Sequence, residues 1–326
     1  MEYIGFGSTG IRVSPVCLGT MTFGKEADET ASLELMDRAF ELGVNFFDTA
    51  NIYNKGVTEQ IVGRWLKSHR SAVVLASKAH FATGEGPNDR GSSRRHLLME
   101  IDKILSRLQT DWLDILYLHH WDPRTPIEET LSALTALVDA GKVRYCGVSN
   151  FSAWQVMKAV GVSQRKGFAP IACVQPMYNL VKRQAEVEIL PMALSEGLAV
   201  CPYNPLAAGL LTGKYRRGEK GRLDENPMYK VRYGNPVYAE IADRFVAYAR
   251  EMGHSPAALA VAWVMAHPAV TSVIIGARNA AQLQDTLGCL DITLSPAAWS
   301  EISGLSSEPP LATDRSEERQ AGKGMT

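Results

Sequence analysis

Four chemically complementary side chains lie at the ends of three consecutive apolar runs. Asp48 and Tyr53 fall in NFFDTANIY (45–53), Lys78 in VVLASKAH (73–80) and His119 in DILYLHHW (114–121). An acid, a phenol, an amine and an imidazole can together deliver a proton to a carbonyl oxygen. A ketone or aldehyde that accepts hydride at carbon needs that proton. A tyrosine can supply it, although its ordinary pKa is about 10. A neighbouring ammonium stabilises phenolate, which predicts a pKa drawn down toward neutrality. The ammonium in turn needs a carboxylate to hold it. Tyr53, Lys78 and Asp48 fit these roles. An imidazole can donate a hydrogen bond to the same oxygen, and His119 fits. His120, beside it, points to the opposite strand face, and parity alone does not choose between the two. Singly, Asp48 reads as a helix cap, Tyr53 as a half-buried aromatic and Lys78 as a surface lysine. Packing does not explain all of them at matching strand ends.

The elements that must position these groups alternate. Strand-like VCLGTMTFG, NFFDTA, VVLASKA, DILYLHHW, RYCGVSN, IACVQPMYN, LAVCPYNPL and TSVIIGA are each followed by a helix-like stretch. Such alternation predicts a parallel sheet, and eight units predict a (β/α)8 TIM barrel with its chemistry at the carboxyl ends of the strands. Asp28 and Ser152 are expected N-caps, and Pro126 suits a first helical position. Gly43, Gly141 and Gly197 are expected to end helices. Residues 2–14 read as an N-terminal β-hairpin, 206–236 as a long Gly/Lys/Arg-rich loop, and 255–267 as an extra apolar helix. Residues 1–307 then form one barrel domain, and 308–326 a flexible polar tail.

Three motif matches fail on context. Gly5–Gly10 spells GxGxxG, but only four residues precede it, so a hairpin turn is expected. Tyr178 and Lys182 match YxxxK, yet they leave a strand for a loop. Gly209 to Lys214 resembles a phosphate loop with one residue too few and Tyr215 in place of Ser/Thr, although it could still cradle a pyrophosphate. The chain has 326 residues, 46% hydrophobic, 21% charged, with net charge −1. That balance suggests neither a nucleic-acid partner nor a membrane. The N-terminus lacks the pattern of a signal peptide. Five scattered cysteines read as reduced and buried, which points to the cytoplasm.

FDTANIYNKGVTEQIVGRWL, LASKAH, LDILYLHHWD, GKVRYCGVSNF, VQPMYNL, YNPLAAGLLTGKY and VIIGARNAAQLQ occur in that order. Together they resemble the aldo-keto reductase family over about residues 3–305. The resemblance implies an (α/β)8 barrel that uses NADPH without a metal on a small-molecule carbonyl substrate, and it selects His119. It also implies a nicotinamide carboxamide held by Ser149, Asn150 and Gln175, with Tyr203 stacked on the ring. Gly19, Thr20 and Met21 are implied as contacts at the mouth of the first strand. Asn204, Pro205, Leu206, Gly209, Leu210 and Lys214 are implied around the pyrophosphate. Gly276, Ala277, Arg278 and Gln282 are implied at the adenosine 2′-phosphate. Arg278 opens a helix, where guanidinium and free N–H groups suit a phosphate. Asn204 stands where Ser is common and Thr286 where Asn is frequent, which puts cofactor affinity in question. Phe23, Tyr53, His80, Phe81, Trp121 and the 206–236 loop are expected to meet substrate. The nearest branches are the bacterial aryl-alcohol-dehydrogenase-like and potassium-channel-β-like ones. The latter implies an alternative, an NADPH-binding redox sensor that acts through a partner protein. Assembly into a homo-oligomer is compatible with the sequence.

Overall fold

The eight apolar runs form eight parallel strands in a computed structural model that describes residues 1–313. They are β3 (Val16–Gly19), β4 (Phe46–Asp48), β5 (Val74–Ala79), β6 (Leu113–Leu118), β7 (Val143–Ser149), β8 (Ile171–Gln175), β9 (Ala199–Val200) and β10 (Val273–Ile275). Their order, β10-β3-β4-β5-β6-β7-β8-β9, follows the chain around a ring. The last gap closes through a Tyr203–Ile274 bridge and through the Ile274 N–H, which donates to the Pro202 carbonyl at 2.9 Å. β9 is short because Pro202 has no N–H to offer the ladder. The fold is a (β/α)8 barrel. The expected hairpin is present as β1 (Ile4–Gly5) paired antiparallel with β2 (Arg12–Val13).

Strand parity divides the core in two. Cys17, Phe46, Ala76, Ile115, Tyr117, Cys173 and Cys201 fill the barrel interior, and Phe6 and Val13 of the hairpin region join them. Phe6 meets Phe46 edge-on at 5.8 Å. Neighbours of opposite parity, such as Phe47, Leu75, Leu116 and Val174, pack outward against the helices. Each large apolar side chain so buried contributes roughly 1.5–3 kcal/mol. The inward series continues upward by steps of two. Ala76 leads to Lys78, Tyr117 to His119, Cys173 to Gln175 and Cys201 to Tyr203.

The outer helices are α1 (Glu29–Glu41), α2 (Val57–His69), α3 (Arg94–Leu108), α4 (Ile127–Asp139), α5 (Ala153–Lys166) and α6 (Ile189–Ser195). Asp28 caps α1 by accepting from the Ala31 N–H, and at the N-cap of α5 the Ser152 N–H donates to Gln155 Oε1 at 2.9 Å. Pro126 is the N-cap of α4 rather than its first residue, because its ψ of 132° is still extended. Gly43, Gly141 and Gly197 take φ of 90°, 72° and 65°, which suits chain reversal after a helix.

Residues 206–236 are not an open loop. Short 3-10 turns at Ala207–Thr212 and Lys214–Arg217 lead into α7 (Arg222–Glu225) and α8 (Pro227–Tyr233). α9 (Pro236–Glu251), the expected extra helix α10 (Pro256–Met265), α11 (Ala280–Leu287) and an unforeseen α12 (Pro296–Ser303) follow. No described helix is long and apolar enough to cross a membrane. Residues 308–313 carry no helix or strand, and the rest of the expected tail, 314–326, lies outside the described residues.

Candidate active site

Three of the four residues that open the chemical argument touch at the carboxyl ends of β4 and β5. The Lys78 ammonium is fully buried and pairs with the Asp48 carboxylate. It also donates to the Thr49 carbonyl at 2.8 Å and to the Tyr53 hydroxyl at 3.3 Å. Gln175, at the end of β8, donates to the other Asp48 oxygen at 2.9 Å. The Tyr53 and His119 rings meet edge-on at 6.2 Å. The backbone registers Gly19–Asp48, Asp48–Ala76 and Ser149–Gln175 bring these positions to one level of the barrel.

Burial dominates the electrostatics. It opposes the charge on Lys78, but Asp48 and the Tyr53 hydroxyl more than offset it, and the lysine pKa ends above its ordinary value. The expected lowering of the Tyr53 pKa is not observed. Burial raises it, Lys78 lowers it, and Asp48 raises it again, so the net direction is upward. The phenol therefore keeps its proton at neutral pH. Burial and the Lys78 charge push the His119 pKa well down, so the imidazole is neutral. Its Nδ1 is buried without a partner. A proton on Nε2 avoids an unsatisfied N–H, which leaves Nε2 as the nitrogen able to donate to a ligand.

Above this cluster opens a cavity of about 760 Å³. Asp48, Tyr53, His119, Gly19, Thr20, Met21, Ser149, Asn150, Gln175 and Tyr203 line its reacting end. Asn204, Pro205, Leu206, Gly209, Lys214, Gly276, Ala277, Arg278, Gln282 and Thr286 line the rest. Asn150 donates to the His119 carbonyl at 3.0 Å and accepts from the Tyr203 hydroxyl at 2.7 Å. Asn204, at φ 63°, accepts from the Ala208 N–H at 2.8 Å and donates to the Tyr233 hydroxyl at 2.6 Å. It therefore organises the start of the insertion.

Four expected contacts stand elsewhere. Phe23 is fully buried in the core between sheet and helices, where its carbonyl accepts from Thr58. Leu210 turns into the same core, because the 207–212 turn directs it away from the cavity that Gly209 lines. His80 backs the rim. It lies 3.1 Å from the Ser92 hydroxyl and edge-on to Phe81, and burial pushes its pKa down to about 4. Trp121 packs on Phe151 and Trp154 instead of on the cavity. Phe81 lines the cavity as expected, and His120 lines it beside His119. Within the 206–236 segment, expected as a whole to meet substrate, Arg222, Met228, Tyr229 and Arg232 line it. They belong to α7 and α8, short helices that no sequence periodicity announces.

The end of the cavity far from Tyr53 suits a polyanion. Lys214 runs beside Gly209, where a Cβ would lie 2.6 Å from its Cε. Burial lowers the Lys214 pKa, and so do Arg278 and Arg222, while Glu225 and Glu219 offset part of it, so three cations converge here with two carboxylates nearby. The Arg278 backbone N–H donates to Gln282 Oε1 at 3.0 Å, and Asn279 caps α11. Two phosphate groups and a 2′-phosphate would find donors here.

The family model described as the Aldo/keto reductase family matches residues 15–307. An "Uncharacterized oxidoreductase YrpG" of Bacillus subtilis (strain 168) is 39% identical over 310 residues, covering 90% of this chain and 92% of that protein. A "Probable voltage-gated potassium channel subunit beta" of Oryza sativa subsp. japonica is 35% identical over 333 residues, covering 96% and 99%. "Norsolorinic acid reductase A" of Aspergillus parasiticus is 33% identical over 310 residues, covering 90% and 78%.

Proposed function

The chain belongs to the aldo/keto reductase family, and we propose that it reduces aldehydes or ketones to alcohols, reversibly, with NADPH as cofactor and Tyr53 as proton donor. The observation that carries this reading is the buried Lys78 bonded at once to Asp48 and the Tyr53 hydroxyl. Bound NADPH supplies hydride to the carbonyl carbon. Tyr53, held protonated, gives its proton to the carbonyl oxygen. The Lys78 charge stabilises the phenolate that remains. Asp48, steadied by Gln175, fixes Lys78 in place. Neutral His119 donates from Nε2 to the same oxygen and orients the substrate. Ser149 and Asn150 would hold the carboxamide, Tyr203 the nicotinamide face, Lys214 the pyrophosphate and Arg278 the 2′-phosphate. Aryl aldehydes and keto-sugars are the substrate classes proposed. Five buried, free cysteines fit a reducing compartment such as the cytoplasm.

Loss of reduced-nicotinamide absorbance with benzaldehyde tests the reading. Turnover is expected with NADPH and is expected to fall by about 10²–10⁴-fold in Tyr53→Phe. Turnover that survives the substitution would overturn the role of Tyr53. A second reading follows from the relative named as a channel subunit. In it the chain binds NADPH as a redox sensor and acts through a partner protein. Tight NADPH binding with no turnover across a panel of carbonyl compounds favours that reading.

A further inference from the structure

We propose that Arg232 reads an anionic group on the carbonyl substrate, so that the preferred substrates carry a carboxylate or similar anion beside the reacting aldehyde or ketone. The inference rests on the reductase reading of the cavity and goes beyond it in naming the substrate class.

α8 is tied to the barrel through its two tyrosines. Asn226 caps the helix, and Tyr229 and Tyr233, one turn apart, are both buried. The Tyr233 hydroxyl accepts from Asn179 at 3.1 Å and from Asn204 at 2.6 Å, and it lies 3.4 Å from Met177 Sδ. The Tyr229 hydroxyl reaches Met21 Sδ at 3.9 Å. These ties fasten α8 across the mouth of the barrel. The same helix presents Met228, Tyr229 and Arg232 to the cavity that Tyr53 and His119 line.

Arg232 is half-buried there, yet among the described residues no carboxylate pairs with it. It lies over the Tyr229 ring, 5.4 Å from its centroid, and 3.8 Å from Met228 Sδ. Other arginines of the insertion, and Arg278 just before α11, are satisfied differently. Arg216 pairs with Asp243, Arg217 with Glu219 and Arg278 with Glu225. Arg222 also lies over the Tyr229 ring, 5.5 Å from its centroid, and its charge reaches Lys214 toward the polyanion end. Arg232 lies on α8 with Tyr229, whose hydroxyl reaches Met21 at the reacting end, and its charge opposes the rise that burial gives the Tyr203 pKa.

At that end the remaining charges are spent. Lys78 and Asp48 neutralise each other, and His119 is neutral. The walls are otherwise uncharged, with Phe81, Tyr203 and Tyr229 prominent. A guanidinium braced on an aromatic face and facing a partly desolvated cavity is a fork preorganised for a planar anion. A neutral substrate would leave that half-buried charge uncompensated.

The test compares 4-carboxybenzaldehyde with 4-methylbenzaldehyde, similar in shape and different in charge, using NADPH and the full chain. The wild type is expected to favour the carboxylate in kcat/KM by about 10- to 100-fold. Added salt is expected to shrink the preference. Arg232→Leu is expected to abolish the preference, and Arg232→Glu to reverse it. Equal use of both aldehydes by the wild type overturns the inference and leaves the reductase reading standing. Weaker NADPH binding in Arg232→Leu, with the carboxylate preference intact, assigns the residue to the cofactor and also overturns it. Failure to reduce either compound overturns the reductase reading, and the inference with it. The wild-type comparison decides the matter even where a variant folds poorly.

Discussion

At the reacting end of the cavity, Lys78 is fully buried and meets Asp48, Thr49 and Tyr53 at the tips of adjacent barrel strands. At the far end, Lys214, Arg222 and Arg278 stand half-buried on turns and helix starts, repelling one another. The first set owes its geometry to ladder register and to a satisfied charge pair. The second has spare charge and scaffolding made of four- and seven-residue helices, α7 and α8. Chemistry that tolerates little displacement sits on the rigid end. On the proposed reading, recognition of phosphate, which a guanidinium on a short helix can follow, would sit on the adjustable end.

The sharpest way to break this contrast is Lys78→Met. It removes the charge that stabilises phenolate and strands Asp48 as a buried anion. Activity is expected to fall by at least about 100-fold. Stability is expected to fall by about 3–5 kcal/mol, the usual effect of removing one partner of a buried pair. Kinetics at saturating NADPH and urea titration read the two losses. A stable, active variant would mean that the reacting end is not built around this pair.

A smaller effect probes what lies behind the rigid end. Glu59 on α2 is buried, accepts from Ser77 beside Lys78 at 2.6 Å, and accepts from Arg107 at 2.7 Å. Burial outweighs Arg107 and pushes its pKa up to about 7, against about 4.3 unfolded. The native state thus binds this proton more tightly. The stability it contributes is full below about pH 4.3 and is lost as pH rises through about 7. Relative to Glu59→Gln, the wild type is expected to lose about 3–4 kcal/mol between pH 4 and pH 8. A gap independent of pH between the two unfolding curves would show an ordinary carboxylate.

At the adjustable end, Arg278→Leu is expected to raise the Kd for NADPH about 10- to 100-fold. The Kd for NADH should barely change. Fluorescence titration of both cofactors checks it, and equal weakening would remove the 2′-phosphate from Arg278.

The same contrast explains what the sequence revealed. The eight strands, and the tips carrying Asp48, Lys78 and His119, stand out because apolar runs break there into polar residues. His119 follows Ile115 and Tyr117 inward by steps of two, so a reading of strand parity that included the buried Tyr117 would have separated it from His120. Ser295 followed by Pro296 was a readable start for α12. Phe23 and Leu210 were misjudged because irregular backbone carries no parity. α7 and α8 were hidden for another reason. Helices so short are held by distant partners such as Asn179 and Asn204 on Tyr233, and not by local propensity. Ala207 and Ala208, at φ 49° and 58°, adopt a conformation that no alanine announces.

The smallest prediction concerns Glu225, whose carboxylate accepts from Arg278 Nη2 at 2.9 Å. A 2′-phosphate bound at Arg278 must share that guanidinium with Glu225 or displace it. The pair is half-exposed, so its worth is about 0.2–1 kcal/mol. Glu225→Gln is therefore expected to tighten NADPH by about 1.5- to 5-fold, leave NADH unchanged and steepen the salt dependence of NADPH binding. In Arg278→Leu the same substitution should have no effect, since the coupling runs through that one contact. The opposite sign is equally informative. If Glu225→Gln weakens both cofactors, the pair works as a clasp that holds α7 against α11 over the cavity. The adjustable end would then owe part of its geometry to a charge pair, as the rigid end does, and the difference between the two would be one of burial alone.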